Sequence, residues 1–158
     1  MVPKTSKIRS GRGFSLVSIM VAIVIILVAL IGTTNFRYFS ALDAKKAAAR
    51  ITAARIGLML CENWRGLEGT ETYDPATYFG SDLTITQSAG PNKPEDFTLL
   101  GSYTVTLNGA NYYMTLSWTD VSTGLRALNI IVAWAQRSQG LSSITDVDKS
   151  FKLTTYAL

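Results

Sequence analysis

Phe14-Ser15-Leu16-Val17-Ser18-Ile19-Met20-Val21-Ala22-Ile23-Val24-Ile25-Ile26-Leu27-Val28-Ala29-Leu30-Ile31-Gly32-Thr33-Thr34-Asn35-Phe36 is a run of 23 residues with no Asp, Glu, Lys or Arg. At about 1.5 Å per residue it makes a helix of roughly 34 Å, enough to cross the hydrocarbon core of a bilayer. Immediately before it stand Lys4, Lys7, Arg9 and Arg12, and the run is entered through Gly13. A basic flank beside an apolar span orients that flank to the cytoplasm, so residues 1–13 are expected inside and the rest of the chain outside.

The charge balance outside this segment is even. The net charge of +4 is carried by the four leading basic residues, and residues 37–158 hold 11 basic against 11 acidic groups. A basic excess confined to a membrane flank gives no nucleic-acid footprint, so composition argues against nucleic acid as a partner. The chain has no His and a single cysteine, Cys61. That removes the commonest general base, an intramolecular disulfide and a thiolate metal cluster. No enzyme, no cofactor and no metal site is therefore expected. Cys61 reads as a small buried residue on a helix, with its reactivity left open.

Three targeting signals place their cut differently relative to the apolar run. A secretory signal is cut after it, at small residues that the sequence beyond Phe36 does not offer. An uncleaved anchor has no need of a Gly immediately before a Phe. A cut before the run, between Gly13 and Phe14, accounts for both, because Gly leaves the bond unobstructed. Here Gly13-Phe14-Ser15-Leu16-Val17 closely resembles the class III leader of type IV pilins and type II secretion pseudopilins of bacteria. The resemblance implies that a prepilin peptidase cuts after Gly13 and that the new N-terminus, Phe14, is then N-methylated. It also implies assembly through Phe14, Leu16 and the fifth mature residue, alongside other pilin or pseudopilin subunits and an inner-membrane assembly platform. The family usually has Glu at that fifth position, and this chain has Ser18. A carboxylate in hydrocarbon is costly unless paired, so a subunit without it inserts easily but offers its neighbour no charge. In the resembling systems this is tolerated best at the filament tip, which points to a minor or tip subunit.

Residues 37–65 contain no Pro, are rich in Ala, Lys and Arg, and space larger apolar residues at Tyr38, Phe39, Leu42, Ile51, Leu58 and Trp64, so the helix is expected to continue in amphipathic form to a stop at Gly66. Gly32-Thr33-Thr34-Asn35 is a cluster of weak helix formers and a candidate flexible point. A coiled-coil dimer is disfavoured because Lys45, Lys46 and the alanines from 47 to 49 interrupt any heptad. Residues 66–102, with Pro75, Pro91 and Pro94, read as a long connecting loop with room for one short strand at Leu83 to Thr86. Beyond it the period becomes two. Tyr103 to Leu107 and Tyr112 to Trp118 flank Asn108-Gly109, a hairpin signal. Ala127 to Trp134 and a last segment from Phe151 to Tyr156 complete the pattern. The expected fold is α+β: a long N-terminal helix, transmembrane over 14–36, packed through its second half on an antiparallel sheet of about four strands in residues 103–158. The order of elements is similar to that of pilins over nearly the whole chain, and the Trp-ended strand and C-terminal segment look like minor pilins of the PilV kind and small pseudopilins.

Outside the helix, Glu62, Glu68, Glu71 and Asp74 form the densest acidic run and match no calcium-loop spacing. Asp146 and Asp148 are too few to ligate a cation. Tyr112, Tyr113, Trp118 and Trp134 could stack bases or sugars, but strand alternation makes core packing the default, and Tyr113 with the loop aromatics Tyr73, Tyr78 and Phe79 are the better exposed candidates. Exposed loop aromatics would suit a tip adhesin or a DNA-uptake (competence) minor pilin. A signal-anchored extracytoplasmic domain unrelated to pili is the remaining alternative. The expected location is the cytoplasmic membrane, spanned once, with the C-terminal domain outside, and later the pilus or pseudopilus filament.

Overall fold

The structure is a computed structural model and describes residues 15–80, 83–136 and 142–158. The chain separates into two units, one ending at Ala44 and the other running from Lys45 to Leu158. Helix α1, Leu16–Gly66, belongs to both. The first unit is helical throughout its described part, and its apolar side chains from Leu16 to Ile31 are exposed.

The second unit is an α+β domain. Five strands form one antiparallel sheet in the sequential order β1 (Ile85–Gln87), β2 (Thr98–Leu107), β3 (Ala110–Ser122), β4 (Leu125–Trp134) and β5 (Lys149–Ala157). The expectation of about four strands is corrected to five, because the short segment in the connecting loop pairs with β2 through Ile85↔Val105. A meander of this kind follows from tight turns. Asn108 and Gly109 both take positive φ, 52° and 75°, as a two-residue hairpin turn requires, and Gly124 at φ 82° closes the β3–β4 turn. Strand β2 starts five residues earlier than its alternation suggests, because the register shifts between Leu99 and Gly101. A bulge there puts consecutive residues out of step with period two. The connecting segment also holds a short helix, α2 (Pro75–Phe79), whose first turn is capped by Asp74 accepting from the Ala76 N–H at 3.1 Å.

The core lies between α1 and one face of the sheet. Ala53, Ile56, Gly57, Leu60, Cys61 and Trp64 are the buried helix residues, spaced three and four apart as one helical stripe. They meet Tyr103, Val105, Met114, Leu116, Leu128, Ile130 and Val132. The stripe differs from the one that large residues suggest: Ile51 and Leu58 are 52% and 47% exposed, whereas Ala53 and Gly57 are buried. Contact distance is the reason. A Cβ on Gly57 would lie 3.2 Å from the Phe151 ring and 3.5 Å from Val132, so the helix sits against the sheet at a separation only a small residue allows.

Past Gly66 the chain reverses through Glu68 and Gly69, both at positive φ. Gly69 is the required residue, since a Cβ there would stand 2.9 Å from Leu128 Cδ2. Trp64 fixes the same corner. It is fully buried, donates from Nε1 to the Thr70 carbonyl at 2.9 Å and stacks on Tyr73 with ring centroids 5.7 Å apart.

The opposite face of the sheet is covered too, but by loops. Thr115 donates from Oγ1 to the Pro91 carbonyl at 2.6 Å, and Tyr113 donates to the Ser142 carbonyl, which also accepts from Asn111. Asn129, fully buried, donates to Thr154 Oγ1 at 2.8 Å. Truncating Trp64 to Ala removes the largest fully buried side chain together with its hydrogen bond. The expected loss is about 3–5 kcal/mol, read as a lowered denaturant midpoint by near-UV circular dichroism of the full chain in detergent.

Candidate assembly helix and head surface

The residues singled out for processing, Gly13 and Phe14, lie outside the described residues. Helix α1 follows them directly: the Ser18 and Ile19 N–H groups donate to the Ser15 carbonyl at 2.9 and 3.3 Å, closing its first turn. Leu16 is 75% exposed, and Ser18 stands on the same exposed stretch. No side-chain hydrogen bond of Ser18 is formed. Thirteen Leu, Ile, Val and Met residues between Leu16 and Ile31 are about half exposed or more. At about 1.5 kcal/mol each, withdrawing them from water is worth on the order of 20 kcal/mol. That exceeds the roughly 5–15 kcal/mol by which a whole domain is stable. This half of α1 therefore has the apolar surface of a membrane anchor or a signal sequence. It is the one helix among the described residues long and apolar enough to cross a membrane.

The candidate flexible point is helical. Thr33 donates from Oγ1 to the Ala29 and Leu30 carbonyls at 3.0 Å, and Thr34 to the Leu30 carbonyl at 2.8 Å. Hydroxyls bonded back to the preceding turn need no water, so these weak helix formers are satisfied inside an apolar medium.

In the second unit two members of the acidic run, Glu71 and Asp74, have structural partners. Glu71 and Asp120 both engage Arg126, at 3.0 and 2.8 Å, while the guanidinium also donates to the Gly69 carbonyl and lies 3.9 Å from the Trp118 ring centre. These contacts hold the Arg126 guanidinium more firmly protonated than usual, Asp120 first. The arrangement ties the chain reversal after α1 to the β3–β4 hairpin. Asp74 is spent on the cap of α2, Asp146 accepts from the Ser143 N–H at 2.9 Å, and Asp148 accepts from the Gln136 N–H at 2.7 Å. No group of three or more potential ligands converges among the described residues.

Two of the four aromatic residues expected to be exposed are buried. Tyr73 lies between Trp64 and Tyr78, its hydroxyl without a partner, and Tyr113 is held under the loop that carries Ser142. Alternation did not identify Tyr113 as buried because the second face of the sheet is covered by chain that is not a regular element. Tyr78 remains half exposed, and Phe79 is partly covered. Cys61 is buried, 6% exposed, on the face of α1 that meets the sheet.

Burial holds the Tyr73 phenol far above its ordinary value, with Tyr103, Tyr78 and Asp74 adding to the shift. Tyr103 is raised by burial and then by Asp74, and Tyr112 by burial against a smaller opposing effect of Thr52. An acid whose folded pKa is raised stabilises the fold fully below its unfolded value, here about 10, and that contribution is lost as pH rises above it. Alkaline titration followed at the phenolate absorbance is therefore expected to show these three tyrosines ionising together with unfolding. Cys61 is expected to resist alkylation at neutral pH until the domain is unfolded; fast labelling of the folded chain would show an open path to the sulfur. Comparison with protein-family models, with curated proteins and with solved structures found no match.

Proposed function

We propose that this chain is a prepilin-like subunit, minor or at the tip, of a type IV pilus or type II secretion pseudopilus. The observation that carries the reading is the division of α1 into two surfaces. Its first half exposes apolar side chains all round, and its second half buries a single stripe under an antiparallel sheet. A helix so built holds its domain at a membrane and then exchanges lipid for the helices of other subunits without refolding. The Gly13-Phe14 junction supplies the event that frees it: removal of the basic leader by a prepilin peptidase, followed by methylation of Phe14. Transfer of one apolar surface from lipid to protein is the mechanism, with an inner-membrane assembly platform supplying the push. Phe14, Leu16 and Ser18 form the leading end of the sliding surface.

The chain acts by packing and has no chemistry of its own. Its partners are the peptidase, the platform and other pilin-like subunits, and it resides in the cytoplasmic membrane, with the C-terminal domain outside, before entering the filament. Ser18 in place of the family's Glu removes the carboxylate that would meet a neighbour's new amino group, which favours a minor or initiating position over the bulk shaft. The adhesin and DNA-uptake reading draws less support, since Tyr73 and Tyr113 are buried and Tyr78 alone of the four is half exposed.

Intact mass and N-terminal sequencing of the membrane-bound chain, with and without a co-expressed prepilin peptidase, test the reading. A mature chain beginning at methylated Phe14 only in the presence of the peptidase is expected, and Gly13→Leu should leave the leader attached. An intact leader in both cases, or a cut beyond Phe36, would leave an ordinary signal-anchored or secreted domain.

A further inference from the structure

Phe36-Arg37-Tyr38-Phe39 puts four large side chains in consecutive positions of α1, and all four are exposed. Phe36 is 75% exposed, Tyr38 63% and Phe39 62%. At about 3.6 residues per turn, successive side chains stand roughly 100° apart. The four therefore point to every side of the helix and form a ring, not a stripe. A groove or a single partner helix is met by residues three and four apart, and no one surface of that kind touches all four. The rings of Tyr38 and Phe39 meet each other edge to face, with centroids 5.7 Å apart, and neither belongs to the core.

The ring stands where the apolar run ends. From Leu16 to Phe36 the helix rises about 30 Å at roughly 1.5 Å per residue, which is the thickness of the hydrocarbon core of a bilayer. Arg37 is the first charged residue after that run. One turn nearer the middle, the Thr33 and Thr34 hydroxyls donate to the Leu30 carbonyl and need no water. The chemistry of the ring fits a boundary between hydrocarbon and water. Tyr carries a polar tip on an apolar body, and aromatic side chains gather at the level of the lipid headgroups. Arg lays its methylenes along apolar surface while its guanidinium reaches a phosphate. Lipid also meets a helix on all sides at once, as the ring requires.

We infer that Phe36, Arg37, Tyr38 and Phe39 seat α1 in the headgroup layer of a phospholipid bilayer, at the outer end of its span. The partner is the phosphate and ester layer of the bilayer, which fixes how deep the helix lies. A helix held in this way keeps its outer end at the headgroups when the bilayer thickens, and takes up the mismatch elsewhere along its length. The inference rests on the membrane-spanning part of the proposed function and on no contact with other subunits.

Depth measurements on the full chain in vesicles of phosphatidylethanolamine and phosphatidylglycerol test it. Nitroxide labels are placed singly through Ile25→Cys, Thr33→Cys and Ser40→Cys in a Cys61→Ala background. The labels at positions 25 and 33 are expected to be reached by oxygen and shielded several-fold from a water-soluble nickel chelate, and the label at 40 the reverse. With the ring intact, chelate access at 40 should hold as the acyl chains are lengthened. Phe36→Ala, Arg37→Ala, Tyr38→Ala and Phe39→Ala together should make it fall several-fold in the thicker bilayer. Access at 40 that follows bilayer thickness with the ring intact overturns the inference, as does access that removing the ring leaves unchanged. Chelate access at 25 would show that the span does not enter the bilayer, and overturns the inference together with the membrane reading. Failure of the prepilin reading shows separately, as a leader that the peptidase does not remove.

Discussion

The close approach of α1 to the sheet at Gly57 is the constraint from which the rest of the second unit follows. With the Phe151 ring 3.2 Å from the place a Cβ would occupy, closer than ordinary contact, and Val132 at 3.5 Å, the helix lies close above the strands. Ala53, Leu60 and Trp64 join Met114, Leu116 and Ile130 in one core, and Tyr73 stacks on Trp64 as the chain turns back. A side chain at 57 would require the Phe151 ring or the helix to shift by a few tenths of an ångström, in an interior that leaves little slack. The reversal at Glu68 and Gly69, fastened through Arg126, then sets where the connecting segment can start.

The same helix answers to two solvents, and its composition changes accordingly. Up to Ile31 its side chains are exposed and, Ser18 apart, apolar, and beyond Lys45 the buried apolar residues form a stripe. Between them Thr33 and Thr34 bond back to their own helix, so both hydroxyls are satisfied without water. Helix propensity alone would mark this stretch as weak. Side-chain bonds to the preceding turn remove the penalty that propensity scales average in.

Much of this was legible in the residues themselves. The apolar run, the basic flank, the Asn108-Gly109 turn and the period-two segments were enough to expect a helix on an antiparallel sheet. The connecting segment was harder to read, because β1 is three residues long and α2 five, each too short to show a period. The helix stripe was misjudged for a related reason: searching for large apolar residues finds Ile51 and Leu58, whereas close packing selects Ala53 and Gly57. The second face of the sheet was also hidden. Thr115, Ser117 and Asn129 look like solvent-facing residues by alternation, yet each is buried, and only the tertiary course of the loop through Pro91 and of the segment around Ser142 reveals what lies over that face.

Exposed positions on α1 carry the remaining argument. Ile is a mediocre helix former, since its branched side chain loses rotamer freedom against the preceding turn. At Ile51 it contributes no core contact to offset that loss, and Leu58 one pair of turns later is half exposed as well. Ala at either place would suit an isolated helix better, and Glu or Lys would suit a soluble one. Ile51 and Leu58 are therefore accounted for neither by helix propensity nor by the core.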